Sequence, residues 1–188
     1  MSDDHQLMIS VRDGETEKLG KLFEAHHKRL YNFFLHQTGS RQTSEDLVVD
    51  VFLRILKYRH TYKDEGSFSA WMYTIARHTR IDYYKEHNDQ SEFMEEPDTL
   101  TSNVPDPGEE YENMDDIILL RKAMAELPED RREVILMSRF NHMPYREIGE
   151  VLGCTVGAVK VRIYRAMKDL AERYFRLAGE KSYEMRRN

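Results

Sequence analysis

Met143-Pro144-Tyr145-Arg146-Glu147-Ile148-Gly149-Glu150-Val151-Leu152-Gly153-Cys154-Thr155-Val156-Gly157-Ala158-Val159-Lys160-Val161-Arg162-Ile163-Tyr164-Arg165 is the stretch on which the reading of this chain turns. Pro144 suits the start of a helix, where its missing N–H would be unpaired anyway, and Gly153 suits the residue just past a helix end, where positive φ is needed. Thr155 is then placed to cap a second helix. On that helix Val159, Ile163, Ala166 and Leu170 recur at spacings of four, three and four, a stripe able to pack on the first helix. Gly157, Lys160, Val161, Tyr164, Arg165 and Lys168 share the outward face, so a cationic, partly aromatic surface points where a DNA major groove would lie. The pattern is that of a helix-turn-helix. The competing reading is a solvated basic helix closing a three-helix bundle; the Pro-started, Gly-stopped helix before it weighs toward the helix-turn-helix.

Composition limits what such a surface can do alone. One third of the 188 residues are charged and the net charge is -6, so any attraction to nucleic acid must come from local patches. A single cysteine, Cys154, excludes an internal disulfide. No signal peptide or apolar run of spanning length is evident, so the expectation is a cytoplasmic protein without membrane insertion. The eight histidines show neither HExxH nor Cys/His ligand spacing, so no metal or other cofactor is expected, and adjacent His26 and His27 read as surface or interface residues. A hydrolase lacks any ligand or nucleophile constellation here.

Taken in order, residues 1–14 read as a frayed start or a brief helix. From about Glu15, Leu19, Leu22, Phe23, Leu30, Phe33 and Phe34 keep a helical period until Gly39-Ser40. Thr43 or Ser44 can then cap a helix from Glu45 to about Tyr58. Its apolar residues, Leu47, Val48, Val49, Val51, Phe52, Leu53, Ile55 and Leu56, cover roughly 240° of its circumference. Either this is the central helix of a bundle, or a surplus apolar face ringed by Asp46, Asp50, Arg54 and Lys57 is a dock for another protein. After the turn Asp64-Glu65-Gly66-Ser67, a third long helix runs from Phe68 to about His87. Phe68, Trp71, Met72, Ile75 and Thr79 are placed to face a core, while Tyr73, Arg77, Arg80 and Tyr84 form another stripe. Two arginines between two aromatics make a single-strand platform, since bases stack on such planes at roughly 1–3 kcal/mol each; the alternative is a solvated Arg/Tyr face.

Between Glu86 and Asp116 stand twelve acidic residues and no Lys or Arg, with Pro97, Pro105, Pro107 and Gly108 breaking any period. This reads as a flexible acidic linker. Ile117, Leu120, Met124 and Leu127 then restore helical spacing, a helix from Glu129 to about Phe140 follows, and the basic helix runs to about Leu177. The expected fold is all-α, with two small helical domains.

Four blocks together resemble the extracytoplasmic-function sigma factors of the sigma-70 family. They are Leu22-Phe23 through Leu30-Tyr31-Asn32-Phe33; Ser44-Glu45-Asp46-Leu47-Val48-Val49-Asp50-Val51-Phe52-Leu53-Arg54; Phe68-Ser69-Ala70-Trp71-Met72-Tyr73-Thr74-Ile75-Ala76-Arg77 with Asp82-Tyr83-Tyr84; and Leu127-Pro128 leading into the helix-turn-helix. The resemblance implies sigma region 2 over residues 15–90, an acidic linker over 91–113 and sigma region 4 over 114–178. It implies a protein that is not an enzyme but binds core RNA polymerase and directs promoter-specific initiation. An anti-sigma factor, the regulator of many members, would be a further partner. Carried over by motif, polymerase docking falls on Asp46, Leu47, Asp50, Val51, Phe52 and Arg54. Contacts to the -10 element, which this family opens, fall on Phe68, Trp71, Tyr73, Arg77, His78, Arg80 and Ile81. Contacts to the -35 element fall on Lys160, Val161, Arg162, Tyr164 and Arg165. The chain departs from the family at Val49-Asp50, where Gln-Glu is frequent, at His78, where Asn is common, and after Tyr84, where a basic run is reduced to Lys85. An autonomous helix-turn-helix regulator, with residues 1–90 as a sensor or dimerisation domain, is the alternative.

Overall fold

The computed structural model describes residues 3–87 and 112–185. The linker expected over 91–113 lies outside the described residues but for its last two. All regular structure among the described residues is helical: α1 (Asp3–Arg12), α2 (Leu19–Thr38), α3 (Arg41–Tyr58), α4 (Phe68–His87), α5 (Glu112–Ala125), α6 (Glu129–Ile135, continued by a π-type turn over Leu136–Phe140), α7 (Tyr145–Leu152) and α8 (Val156–Met185).

The helix ends follow local chemistry. Gly39 stops α2 with φ 70°, its N–H returning to Leu35 O. Ser40, not Thr43 or Ser44, caps α3: its Oγ accepts from Thr43 N at 3.2 Å, so the helix begins at Arg41, four residues earlier than expected. Ser44 is instead fully buried one turn in, donating to Ser40 O at 2.6 Å. A backbone carbonyl thus consumes the hydroxyl that the sequence offered as a cap.

The first bundle packs α2 on α3 and α3 on α4, around Leu22, Leu30, Phe33, Phe34, Leu47, Val51, Ile55, Phe68 and Met72. Of the two readings of the first segment, a frayed start or a brief helix, the structure has the helix. Met8 and Val11 of α1 are fully buried, each worth roughly 1.5–3 kcal/mol of apolar transfer. His5 Nδ1 meets the Tyr62 hydroxyl at 2.7 Å, and burial pushes that phenol up to about 12. Arg12 bonds Tyr62 O and pairs with Asp64, and His26 Nε2 meets Asp4 at 2.9 Å. So α1 clasps the turn that leads into α4, and His26 is an internal tie.

The second bundle packs α5 and α6 on α8, and α7 on α8. Its core (Met124, Leu127, Val134, Leu136, Met137, Ile148, Val151, Val159, Ile163) runs on into that of the first as one buried cluster. Arg132 of α6 spans the junction. Its Nη1 donates to His36 O and Gln37 O at 3.3 and 3.5 Å, and its Nη2 to Ala125 O and Leu127 O at 2.6 and 2.9 Å. Carbonyls orphaned at the ends of α2 and α5 are thereby satisfied by one guanidinium.

Candidate nucleic-acid interface

The helix-turn-helix forms as its residues dictate. Gly153 caps α7 in the left-handed region at φ 61°, and Thr155 Oγ1 accepts from Ala158 N at 3.2 Å at the start of α8. Val159 and Ala166 are fully buried, with Ile163 and Leu170 nearly so. On the other side Lys160, Val161, Arg162, Tyr164 and Arg165 are all exposed, Tyr164 at 71%. The turn between the helices is unusually close. A Cβ at Gly149 would stand 2.7 Å from Cys154 O, and Cys154 N donates to Gly149 O at 2.9 Å. No local pattern signals this requirement, because Gly149 sits mid-helix with no turn residue beside it.

The residues expected at the -10 element divide between faces of α4. Trp71 and Ile81 are half-buried and His78 is exposed, and at roughly 100° per residue the three share a side with Thr74 and Lys85. Phe68 is buried against His26, Tyr62 and Trp71, so it fixes the entry to α4 rather than presenting its ring. Tyr73 is 3% exposed and packs edge-on against Phe33 at 5.2 Å, where burial raises its hydroxyl pKa. It belongs to the core, not to a platform. Arg80 is 2% exposed and pairs with Glu129, and Arg77, half-buried, donates from Nε to Glu133 Oε2 at 3.2 Å. The Tyr73, Arg77, Arg80 and Tyr84 stripe is therefore neither open platform nor solvated face: the lower part of α6 lies over its arginines.

On α3 the apolar surplus is smaller than the period implied. Leu47, Val51 and Phe52, expected at a docking surface, are buried in the free protein, Phe52 edge-on to Phe23 at 4.9 Å. Packing against α2 and α4 covers that side. Val49 and Leu53 stay 53% and 60% exposed, flanked by exposed Asp46 and half-buried Asp50 and Arg54. Arg54 donates to Asp50 at 3.1 Å and to Asp82 of α4 at 2.6 Å, and the Asp82 carboxyl is held below its usual range by that guanidinium.

Comparison with known proteins accounts for the arrangement. The family description "Sigma-70 region 2" matches residues 22–89 and "Sigma-70, region 4" matches residues 117–170. The ECF RNA polymerase sigma factor SigF of Caulobacter vibrioides is 31% identical over 176 residues, covering 92% of this chain and 94% of that relative. The chain belongs to the extracytoplasmic-function sigma factors. RNA polymerase sigma factor YlaC of Bacillus subtilis is 26% identical over 157 residues, 82% of this sigma factor and 90% of the relative. In fold it resembles CnrH, solved in complex with the cytosolic domain of CnrY, with a TM-score of 0.68 and 20% identity, covering 91% of this chain and 96% of that one. It also resembles RpoE of Bartonella quintana, solved with the anti-sigma factor NepR, with a TM-score of 0.64 and 22% identity over 82% of this chain and 94% of that one. The sigma factor is thus a promoter-specific transcription initiation factor that works with RNA polymerase, and the autonomous-regulator alternative finds no support. No helix among the described residues is long and apolar enough to cross a membrane.

Proposed function

We propose that α8 reads the -35 element in the major groove through Lys160, Val161, Arg162, Tyr164 and Arg165, that Trp71, His78 and Ile81 of α4 engage the -10 element as it opens, with Arg77 and Arg80 contributing once uncovered, and that α3 docks core polymerase through Asp46, Val49, Asp50, Leu53 and Arg54. Leu47, Val51 and Phe52 hold α3 in place from behind. The observation that carries the reading is the division of α8 into a buried apolar stripe and an exposed cationic, aromatic face. A helix anchored this way presents its basic side chains at fixed positions, as base readout requires. The protein performs no chemistry; strand separation costs a few kcal/mol, which capture of an unstacked base on an aromatic face can offset. It acts in the cytoplasm, and an anti-sigma factor is its regulator, in keeping with the complexes in which CnrH and RpoE were solved.

The test is in vitro transcription from genomic fragments with core polymerase and this protein, mapping start sites, followed by a library of -35 variants read with Lys160→Ala and Arg165→Ala. A side chain donating to guanine O6 and N7 contributes roughly 1–3 kcal/mol of discrimination, whereas one touching phosphate weakens all sequences alike. At least one substitution should relax preference at one or two base positions with core affinity unchanged. If both variants rank the library as the parent does, α8 does not read bases.

A further inference from the structure

The entry to α4 is tied down by a helix that lies wholly ahead of residue 22, where the region 2 match begins. The polar contacts of that helix, α1, converge on one place. His5 Nδ1 lies 2.7 Å from the Tyr62 hydroxyl, Arg12 Nη1 donates to Tyr62 O at 3.3 Å, and the same guanidinium pairs with Asp64. Asp4 holds His26, whose ring meets Phe68, the first residue of α4, edge-on at 5.3 Å. A helix that only filled a gap in the core would need Met8 and Val11 but no such set of directed bonds, because apolar burial has no preferred direction.

Tyr62 carries the tie onward. It is 3% exposed, and its hydroxyl donates to Gly66 O at 3.2 Å across the turn. With its one proton given to Gly66 O, the phenol accepts from His5 Nδ1–H, so the two bonds run as a relay from α1 to the turn. On its other side the Tyr62 ring stands edge-on to Trp71 at 5.2 Å. That approach is a preferred geometry of aromatic pairs, so the phenol ring fixes where the half-buried indole lies. Phenylalanine would fill the same space without the cost of burying a hydroxyl; what the hydroxyl adds is direction.

We infer that Tyr62 is a positioning residue for promoter opening: fixed by His5 and Arg12 of α1, it sets the turn before α4 and the orientation of Trp71 toward the -10 element. This rests on the reading of Trp71 as a -10 contact. Capture of an unstacked base favours a platform already held in place, because the indole then has no freedom left to lose as the strands part. α1 thereby serves strand separation without touching DNA.

The experiment uses the full chain. Trp71 is its single tryptophan, so acrylamide quenching of fluorescence reports the indole directly in the free protein. Tyr62→Phe keeps the ring and removes both hydroxyl bonds; Arg12→Gln, at a half-buried site, breaks the tie from the α1 side and serves should Tyr62→Phe not fold. Each should raise the quenching constant while circular dichroism stays that of the parent. With core polymerase and a start site mapped as above, open-complex formation on the duplex promoter should slow about fivefold in Tyr62→Phe, the equivalent of one ordinary hydrogen bond, at unchanged core affinity. In a Trp71→Ala background the same substitution should add nothing, because Tyr62 acts through the indole. If Trp71→Ala opens promoters as the parent does, the reading of Trp71 falls and the inference with it. If Trp71→Ala is slow, then parental quenching or parental opening in both variants, or losses of Tyr62→Phe and Trp71→Ala that multiply, overturns the positioning role alone.

Discussion

Replacing Gly149 by alanine tests the helix-turn-helix at its closest point. In an ordinary helix interior the change is favourable by roughly 0.8–1.0 kcal/mol, because alanine loses less backbone freedom than glycine. Here the new Cβ would meet Cys154 O at 2.7 Å, with Val159 Cγ2 at 3.7 Å behind it. Carbon–oxygen approaches of this kind usually stop at about 3.3 Å. The obstruction is main chain, so no rotamer relieves it. Moving the turn stretches the bond from Cys154 N to Gly149 O, worth about 1 kcal/mol, and overpacking adds about 1–3 kcal/mol. After the helix-propensity gain is subtracted, Gly149→Ala should destabilise the α7–α8 unit by about 1–3 kcal/mol, a melting-temperature loss of about 4–8 °C per kcal/mol for a unit of this size. Because α8 is displaced against α7, binding at the -35 element should fall with it. Gly153→Ala is the matched comparison: nothing lies within 4 Å of its Cβ, so the penalty is only that of alanine at φ 61°, about 1–2 kcal/mol. Thermal unfolding by circular dichroism measures both. If Gly149→Ala is as stable as the parent, the main-chain contact is not the constraint and the reasoning fails.

Acid should loosen the junction through His36. Burial, with Arg121 of α5 and Arg132 of α6 nearby, depresses its pKa below the ordinary 6.5, and its ring also packs against Phe140. The unfolded chain therefore takes up the proton first, and His36 contributes stability above the ordinary value that is lost as pH falls through it toward the folded pKa. Melting temperature should drop between about pH 7.5 and 5.5, and His36→Gln should flatten that part of the profile; an unchanged slope refutes the assignment. Glu133 acts in the opposite sense from lower pH, because burial raises its carboxyl above 4.5: its stabilising share is full below that value and is lost as pH rises through the folded pKa. On α3, Leu53→Asp should keep the parent's stability to within about 0.5 kcal/mol yet weaken core-polymerase binding, while buried Leu47→Ala should cost about 2–5 kcal/mol of stability. Undiminished polymerase binding by Leu53→Asp would remove α3 from the docking interface.

What could be read from the sequence was local. Pro144, Gly153, Thr155 and the Val159–Leu170 stripe all act within a turn or two, and the helix-turn-helix follows from them. The acidic, proline-broken segment between two sets of helical periods marked the two-bundle architecture, and the family's motif order agreed with it. Periodicity shows that a face is apolar without showing which neighbour covers it, so Leu47 and Val51 read as surface while Val49 and Leu53 hold that position. The covering of the stripe from Tyr73 to Tyr84 was hidden for a longer-range reason: the carboxylates that pair with Arg77 and Arg80 stand across the acidic segment, where no local spacing reveals them. The folding of α1 was signalled by Met8 and Val11 three residues apart, a pattern too short to stand out from its polar surroundings.

Arg132 joins the bundles without consulting any side chain: its four acceptors at His36, Gln37, Ala125 and Leu127 are all peptide carbonyls. Side-chain identities at those positions can drift without dissolving the join, provided that α2 and α5 end where they do. Either bundle can therefore change its side chains at these four positions and keep the Arg132 bonds, so long as the arginine stands at this point of α6. The molecule's modularity is written in its main chain.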